Sequence, residues 1–290
     1  MSFQPAQLSV NWATDVELGK GSYFISATRS LPLTIDLPHE DVGSSFNNSI
    51  LFWRGRILMT YRHQYGHPNV LYGYSNVIIA ELDDKFKPVG KTKLLIENAQ
   101  DGRLCILNGG LYCSYSSILG GERCHMHICK LDDNLNVTFD KHFNPIKNPT
   151  KHLEKNWVFC SMDGEIFCVY DYQPQLTIWR MNEDFEITDT ITKDPVVWEF
   201  GEVRGGTPPI LIDGNFVSIV HSIYRKKYVN AVLRMTKEFD FISLQRVDID
   251  IDNFLIIFPC GLAELHGRYF VSYGVEDRSC RIRELLMCLA

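Results

Sequence analysis

Short apolar runs separated by tight turns recur along most of the chain. Two such runs, Arg103–Leu107 and Leu111–Ser116, are joined by Asn108-Gly109. Asn and Gly tolerate the positive φ that a two-residue hairpin turn requires. The pattern predicts a β-hairpin of two short strands at this point.

The same unit, a turn glycine followed by an apolar strand that ends in Tyr or His, occurs five times. Its turns are Arg54-Gly55, Asn108-Gly109, Asp163-Gly164, Asp213-Gly214 and His266-Gly267. The turn glycines lie 50 to 55 residues apart, and a second apolar strand that closes on a polar turn recurs in phase with them. Two hairpins per period are typical of a β-propeller blade, so we predict an all-β, five-bladed β-propeller. A β-sandwich would need both spacings to be coincidental.

The repeat also predicts the domain organisation, a single propeller domain over residues 1–290. Residues 1–45 lack the repeated pattern, and the blades begin at about residue 46. The fifth repeat has little room for an outer strand after Cys280–Leu285, and a missing strand would leave a sheet edge unpaired. We therefore expect residues 1–45 to close the ring.

Composition narrows the class of protein. The net charge of −6 argues against a nucleic-acid partner, and no apolar run has the length of a membrane span. Nine cysteines are scattered without the spacing of a disulfide framework, and the first residues contain no apolar signal segment. These features predict reduced thiols, a cytoplasmic location and no membrane partner.

One segment, Cys124–Cys129, raises the possibility of a metal site. On a strand, His125, His127 and Cys129 would share one face. Closed zinc sites need four convergent ligands, and the segment supplies three. We interpret it as an outer blade strand and predict no metal site.

Polar residues cluster at corresponding points of the blades. At or just before a first strand lie Asn48, Asp101, Arg103, Lys155, Asn156 and Arg204; just after a second strand lie Arg62, His221 and Asp277. In a propeller these points converge at one mouth of the central channel. Charges are costly there unless they are paired or used, so the pattern predicts a polar ligand site. A salt-bridge network that only stabilises the channel is the alternative.

The residue types suggest a chemistry for this site. Several cations around one point suit a phosphate-sized anion, and Arg binds its oxygens in bidentate fashion. Asp101 is the candidate acid among them. A carboxylate that delivers a proton opposite a bound anion suits glycosyl transfer with inversion at the anomeric carbon.

At these residues the chain resembles a known family. The matching motifs are Phe46-Asn-Asn-Ser-Ile, Gln-Asp101-Gly-Arg103, Gly205-Gly-Thr-Pro-Pro-Ile and Tyr273-Gly-Val-Glu-Asp277. They are similar to those of glycoside hydrolase family 130, which comprises β-mannoside phosphorylases and some hydrolases, and to the related β-1,2-mannosyltransferases with phosphorylase activity. The resemblance runs from about residue 45 to the end. The family usually has Glu and Pro where this chain has Gln100 and Gly102.

The resemblance implies roles for the residues. Asp101 would be the catalytic proton donor, acting through a mannose hydroxyl. The predicted phosphate-binding set is Lys155, Arg204, His221 and Arg103, and the predicted sugar-binding set is Asn48, Arg62, Asn156, Tyr273 and Asp277.

We therefore expect inverting glycosyl transfer on β-mannosides, by phosphorolysis or by its reverse from mannose 1-phosphate. The expected partners are a mannoside oligosaccharide and phosphate or mannose 1-phosphate, with no cofactor. Transfer from a nucleotide sugar such as GDP-mannose and non-catalytic sugar binding are the alternatives. Hydrolysis ranks lower, because it needs a carboxylate base where this chain has cations.

Overall fold

The computed structural model describes residues 24–27, 33–35, 37, 43–65, 74–119, 123–143, 154–250 and 252–288. Within these ranges every regular element is a β-strand. The strands form five antiparallel sheets that are arranged as the blades of a propeller, which confirms the predicted fold.

The strands follow the order of the chain. Two short strands, β1 (Phe24–Ala27) and β2 (Leu33–Thr34), precede the first blade. Blade one consists of β3 (Gly43–Trp53), β4 (Arg56–Tyr65), β5 (Ser75–Leu82) and β6 (Pro88–Ile96). Blade two consists of β7 (Ala99–Leu107), β8 (Gly110–Leu119), β9 (Arg123–Leu131) and β10 (Val137–His142). Blade three consists of β11 (Val158–Met162), β12 (Glu165–Asp171), β13 (Leu176–Met181) and β14 (Ile187–Lys193). Blade four consists of β15 (Ile210–Ile212), β16 (Asn215–Tyr224), β17 (Lys227–Met235) and β18 (Phe241–Arg246). Blade five contains β19 (Ile257–Leu265), β20 (Arg268–Val275) and β21 (Ser279–Cys288).

The first hairpin of each blade turns at the glycine pair that the sequence singled out. At Asn108 and Gly109 the φ angles are 48° and 76°, and both residues of the other four pairs are also positive. Positive φ at both central positions matches the right-handed twist of the flanking strands. The five turns of the repeat are confirmed.

The fifth sheet is completed from the beginning of the chain. β1 pairs antiparallel with β21 from Phe24↔Cys288 to Ala27↔Leu285, and β2 pairs with the same strand at Ile282 and Arg281. The outer position of blade five is thus held by a segment that precedes residue 46, the segment that the sequence predicted for this role. Residues 1–23 lie outside the described part of the chain.

The apolar core is divided among the five blade interfaces. One cluster joins blades three and four around Phe216 and Phe239, and another joins blades two and three around Trp157 and Trp179. At one end of the central channel, apolar side chains of all five blades surround a cavity of only about 190 Å³. The charged residues around Asp101 lie at the other end of the channel.

The thiols behave as buried small hydrophobes. The eight cysteines whose side chains are described are all reduced and buried, and burial raises the pKa of thiols such as Cys105 and Cys160. This confirms the prediction of free thiols for these eight, while the cytoplasmic location stays a prediction. In the described ranges, no helix is long and apolar enough to cross a membrane.

Among the described residues, including those of the histidine-rich strand β9, no three His, Cys, Asp or Glu side chains are grouped so that they could hold a metal ion. The histidines of β9 pack against His142 of β10: the His142 ring stacks on that of His127 at 4.7 Å and lies edge-on to that of His125 at 5.0 Å. The His127 Nε2 atom is also 2.7 Å from the Ser117 hydroxyl. The strand is an ordinary part of blade two, as we interpreted it.

Candidate active site

One backbone position is repeated in the first three blades and supplies the centre of the polar site. Asn47, Asp101 and Asn156 have φ angles of 54°, 54° and 67°. Bulges interrupt the pairing of β3 between Phe46 and Ser49 and that of β7 between Gln100 and Arg103. A bulge re-aims a side chain out of the regular alternation, and Asn and Asp tolerate the left-handed region better than other residues with side chains.

Asp101 lies at the centre of a group of donors and cations. Its Oδ1 atom accepts a hydrogen bond of 2.8 Å from Asn47 Nδ2 and lies 3.8 Å from Arg62 Nη1. The other carboxylate oxygen is 3.9 Å from Lys155 Nζ. The Asp101 residue is only 7% exposed. The structure thus brings the predicted Asp101, Arg62 and Lys155 together.

These neighbours decide the charge of Asp101. Burial raises its pKa, but the charges of Lys155, Arg62 and Arg103 and the hydrogen bond from Asn47 lower it further than burial raises it. The net pKa lies below the ordinary value. The unliganded site therefore holds a buried carboxylate ion at neutral pH.

Asp277 is pushed in the opposite direction. It follows Glu276 in the β20–β21 turn, and both residues have a φ of 51°. Burial raises the pKa of Asp277, and the nearby charge of Asp101 raises it further, while Arg62 and Lys155 lower it. Two carboxylates whose pKa values are separated by their surroundings are typical of acid–base sites.

A cavity of about 250 Å³ lies between blades three and four, next to Asp101. Lys155, Asn156 and Arg204 line it, together with the carboxylates of Asp171 and Glu202. Arg204 Nη2 donates to Glu202 Oε2 at 3.0 Å, and both side chains are about half exposed. Two predicted phosphate ligands thus share one cavity, although one of them already has a partner.

His221 and Arg103 lie beneath this surface and are almost completely buried. The His221 ring stacks on Tyr228 with ring centroids 5.2 Å apart and packs edge-on against Phe258. Burial lowers the pKa of His221 to about 3, helped by the charges of Arg103 and Arg204. His221 is therefore a neutral ring that can donate one N–H but adds no positive charge.

Arg103 connects the blades below the cavity. Its Nη2 atom donates to Asn156 Oδ1 at 3.0 Å, and its guanidinium lies 5.3 Å from the centre of the Phe258 ring. Phosphate in the cavity would meet Asn156 before it met Arg103. We take Arg103 as the buried cation that orients Asn156 and adds to the positive potential around Asp101.

Two residues of the predicted sugar-binding set lie elsewhere. Asn48 is fully buried and donates to the Arg281 carbonyl at 3.2 Å, and Tyr273 is fully buried and donates to Asp250 Oδ2 at 2.9 Å. The neighbouring Asn47 donates to Asp101 instead, because the bulge of β3 re-aims its side chain. An added Cβ on Gly274 would lie 2.0 Å from Asn47 Oδ1.

Asn47 is the residue that sequence reasoning missed. It precedes Asp101 by the same interval that separates the turn glycines Gly55 and Gly109. The repeat register therefore marked Asn47 and Asp101 as equivalent positions. The adjacent Asn48 matched the family motif equally well, and only the bulge distinguishes the two.

The departures from the family motif have local explanations. Gln100 accepts a hydrogen bond of 2.8 Å from Lys155 Nζ, so an amide here holds the lysine in place without adding charge. At Gly102 an added Cβ would come within 2.6 Å of Val77 Cγ1. Glu154 accepts hydrogen bonds of 3.2 Å from Trp157 Nε1 and from the Tyr170 hydroxyl.

Solved structures share this architecture. The chain is similar to a structure described as "The GH130 family of mannoside phosphorylases contains glycoside hydrolases that target beta-1,2 mannosidic linkages in Candida mannan", with 12% identity, a TM-score of 0.67 and coverage of 93% of this chain and 95% of the other. It is also similar to a β-1,2-mannobiose phosphorylase from Listeria innocua in complex with β-1,2-mannobiose, with 14% identity, a TM-score of 0.64 and coverage of 90% and 96%.

A third similar structure is MPT-1, a GDP-Man-dependent mannosyltransferase from Leishmania mexicana, with 12% identity, a TM-score of 0.61 and coverage of 90% and 91%. No protein-family model matches the chain, and no curated protein matches it either. At these identities the likeness shows the fold. The fold therefore agrees with the resemblance to glycoside hydrolase family 130 that the sequence motifs suggested.

Proposed function

We propose that the protein transfers a β-mannosyl unit, with inversion, between phosphate and a hydroxyl group of a mannoside. One direction is phosphorolysis of a β-mannoside, and the other is transfer from mannose 1-phosphate to an acceptor. One observation supports this proposal above all. A buried, ionised Asp101 lies next to the cavity that Lys155 and Arg204 line, and Lys155 belongs to both.

The cavity suits a phosphate group. Lys155 and Arg204 offer charge-assisted hydrogen bonds, and Asn156 adds an amide. Glu202 competes for Arg204, but exposed ion pairs are worth only about 0–1 kcal/mol. A phosphate dianion would therefore displace it. At roughly 30 Å³ per water the cavity holds about eight waters, room for phosphate but little for a nucleotide.

The ionised state of Asp101 favours the transfer direction. The acceptor hydroxyl attacks the anomeric carbon of the sugar phosphate, the bond from that carbon to the phosphate oxygen breaks, and the acceptor proton passes to Asp101 through a mannose hydroxyl. Asp101 then passes this proton to water, and the phosphate, which leaves on the opposite face of the sugar, takes up a proton from water. Asp277 hydrogen-bonds the sugar, and the neutral His221 donates its N–H.

Phosphorolysis uses the same groups in reverse and needs Asp101 to be protonated. A bound phosphate dianion offsets the charge of Lys155, which is the main group that lowers the pKa of Asp101. Phosphate binding therefore raises the pKa of Asp101 and favours its protonation. Asp101 can therefore act in both directions, because phosphate binding changes its protonation state.

Two alternative functions are transfer from a nucleotide-sugar donor and binding of mannosides without catalysis. Transfer from GDP-mannose is favoured by the likeness to the Leishmania enzyme and opposed by the small cavity at Lys155 and Arg204. Non-catalytic binding of mannosides would leave the ionised Asp101 without a role. Parallel assays separate the three.

The deciding experiment supplies purified protein with mannose 1-phosphate or GDP-mannose, and with mannose or mannobiose as the acceptor. We expect phosphate release and a longer mannoside from mannose 1-phosphate. Asp101→Asn removes the proton-accepting oxygen at nearly constant size, and transfer should fall by roughly 10²–10⁴-fold. Asp240→Asn, on the exposed surface of blade four, is the matched control and should keep the wild-type rate.

Three results would count against the proposal. If Asp101→Asn is as active as wild type while Glu154→Gln is inactive, the acid–base residue is misassigned. Activity with GDP-mannose alone would identify the donor as a nucleotide sugar. A wild-type protein that binds mannosides but is inert with every donor would be a sugar-binding propeller.

A further inference from the structure

A second cavity, of about 430 Å³, lies between blades four and five on the other side of His221. Its lining includes Phe200, Tyr224, Tyr228, Asn230, Arg246 and Asp248. The Tyr228 ring lines this cavity and stacks on His221. None of the chemistry described above uses it.

The cavity contains a buried polar atom that has no partner. Asn230 is 5% exposed, and within the described residues its Oδ1 atom accepts no hydrogen bond. Asn230 pairs directly with His221 across β16 and β17, and the Nδ1 atom of that ring is also without a partner there. Buried polar groups in proteins are normally satisfied, so the unpaired oxygen of Asn230, which lines the cavity, points to a ligand. A hydroxyl group of a ligand can donate a hydrogen bond to this amide oxygen.

The rest of the lining supplies apolar ring faces at the rim. Phe200 and Tyr224 pack edge-to-face with centroids 5.5 Å apart, and Tyr224 is 37% exposed. The Arg246 guanidinium lies 5.6 Å from the Phe200 ring centre. Apolar and aromatic walls with a few placed polar groups are typical of small-molecule sites.

The lining carries positive and negative side chains in equal number. Three cations, Arg225, Lys227 and Arg246, are matched by the carboxylates of Asp248, Asp250 and Asp252. Arg246 already pairs with Asp248 at 3.1 Å. An uncharged ligand rich in hydroxyls fits this lining without disturbing its ion pairs.

We propose that this cavity is a second saccharide subsite, which holds the sugar unit next to the acceptor unit whose hydroxyl group reacts at Asp101. The protein then prefers acceptors of two or more sugars to a monosaccharide. The identity of that sugar as mannose rests on the proposed function. The existence of the subsite rests on the cavity, the unpaired Asn230 and the aromatic rim.

The test compares sugars of increasing length by calorimetry, which does not require turnover. Wild type should bind mannotriose more tightly than mannose. Tyr224→Ala and Asn230→Ala should each weaken mannotriose binding by about five- to tenfold, the usual worth of one ring contact or hydrogen bond, and leave mannose binding unchanged. Phe241→Ala removes an exposed aromatic of the same blade that does not line the cavity, and it should bind like wild type.

The outcomes separate this inference from the proposed function. Equal affinity of wild type for mannose and mannotriose, or equal weakening of both by Tyr224→Ala, would overturn the subsite. A GDP affinity that falls in both variants while mannotriose binding is unchanged would make the cavity a nucleotide site instead. If chain-length preference and its loss are seen but no donor is turned over, the subsite stands and the transfer function fails. Because Tyr224 lies at the rim, its variant keeps the test valid even if Asn230→Ala does not fold.

Discussion

Lys155 and Arg204 are the cations that line the cavity next to Asp101, and each is held differently. Lys155 Nζ donates to Gln100 Oε1, whereas Arg204 pairs with the exposed Glu202. Both keep donor capacity for an anion, because an ammonium has three N–H donors and a guanidinium has five. Their contributions to phosphate binding can therefore be measured one at a time.

Replacing either Lys155 or Arg204 by Ala should weaken phosphate binding by roughly tenfold to a hundredfold, because a lost charge-assisted contact costs about 1.5–3 kcal/mol. Calorimetric titration with inorganic phosphate measures this directly. Lys193→Ala removes a positive charge from a remote pair with Asp240 and should bind phosphate normally. If both variants bind phosphate as tightly as wild type, Lys155 and Arg204 are not phosphate ligands, and the alternative of a non-catalytic sugar-binding protein is favoured.

His221 has a pKa of about 3, against about 6.5 when exposed, so the unfolded chain binds a proton that the native protein does not. Its contribution to stability is complete above pH 6.5 and falls as the pH drops toward 3. The loss amounts to about 2 kcal/mol at pH 5. Urea unfolding at pH 8 and pH 5 measures this loss of stability. We expect the loss to be smaller in His221→Gln than in wild type, because the variant has no ring to protonate. If variant and wild type lose the same stability between pH 8 and pH 5, the His221 ring is protonated in the native state.

Among the elements, the bulge of β3 decides which asparagine reaches the site. Asn47 has a positive φ and donates to Asp101, while Asn48 turns to the Arg281 carbonyl. The neighbouring blade repeats the arrangement with Asp101 and Gly102, where a side chain after the bulge would meet Val77. A strand without the bulge would have presented Asn48 instead.

The two asparagines should give opposite results when each is replaced by Ala. Asn47→Ala removes a hydrogen bond that lowers the pKa of Asp101, so the acid limb of the pH–rate profile should move upward and transfer should fall by about tenfold. Asn48→Ala removes the hydrogen bond to the Arg281 carbonyl and should cost about 1 kcal/mol of stability with little change in rate. Kinetics and urea unfolding of both variants make the comparison. A slow, stable Asn48 variant beside a fast Asn47 variant would reverse the assignment.

The turns and the bulges differ in how far the sequence could predict them. Asn108-Gly109 and its repeats were predictable because the required φ restricts the residue type locally. The role of Asn47 depends on a register shift that the adjacent residue types do not predict. Asn230 and Tyr224 read as ordinary strand residues, and their cavity exists only because blades four and five meet there. Contacts between blades are set by packing over long sequence separations, which local pattern does not encode.

At the scale of the whole molecule, the ring separates two environments along one channel. Its apolar end closes on residues such as Leu104 and Leu262, and its other end gathers the charges around Asp101. Each blade contributes one inner strand, so a single ligand at the mouth can contact several blades at once. Closure of the ring is therefore a condition for the site as well as for stability.

The closing contact is made by the beginning of the chain, and it can be removed. Deleting residues 1–34 takes away β1 and β2 and leaves the outer edge of β21 unpaired. We expect the melting temperature to fall by on the order of 10 °C, since about 2 °C is lost per kcal/mol in a chain of this size. A synthetic peptide of residues 24–34 should restore part of the loss by pairing with β21, and a scrambled peptide should not. A truncated protein that melts like the full chain would show that blade five is stable without its outer strand, and that the ring is held by the interfaces between blades alone.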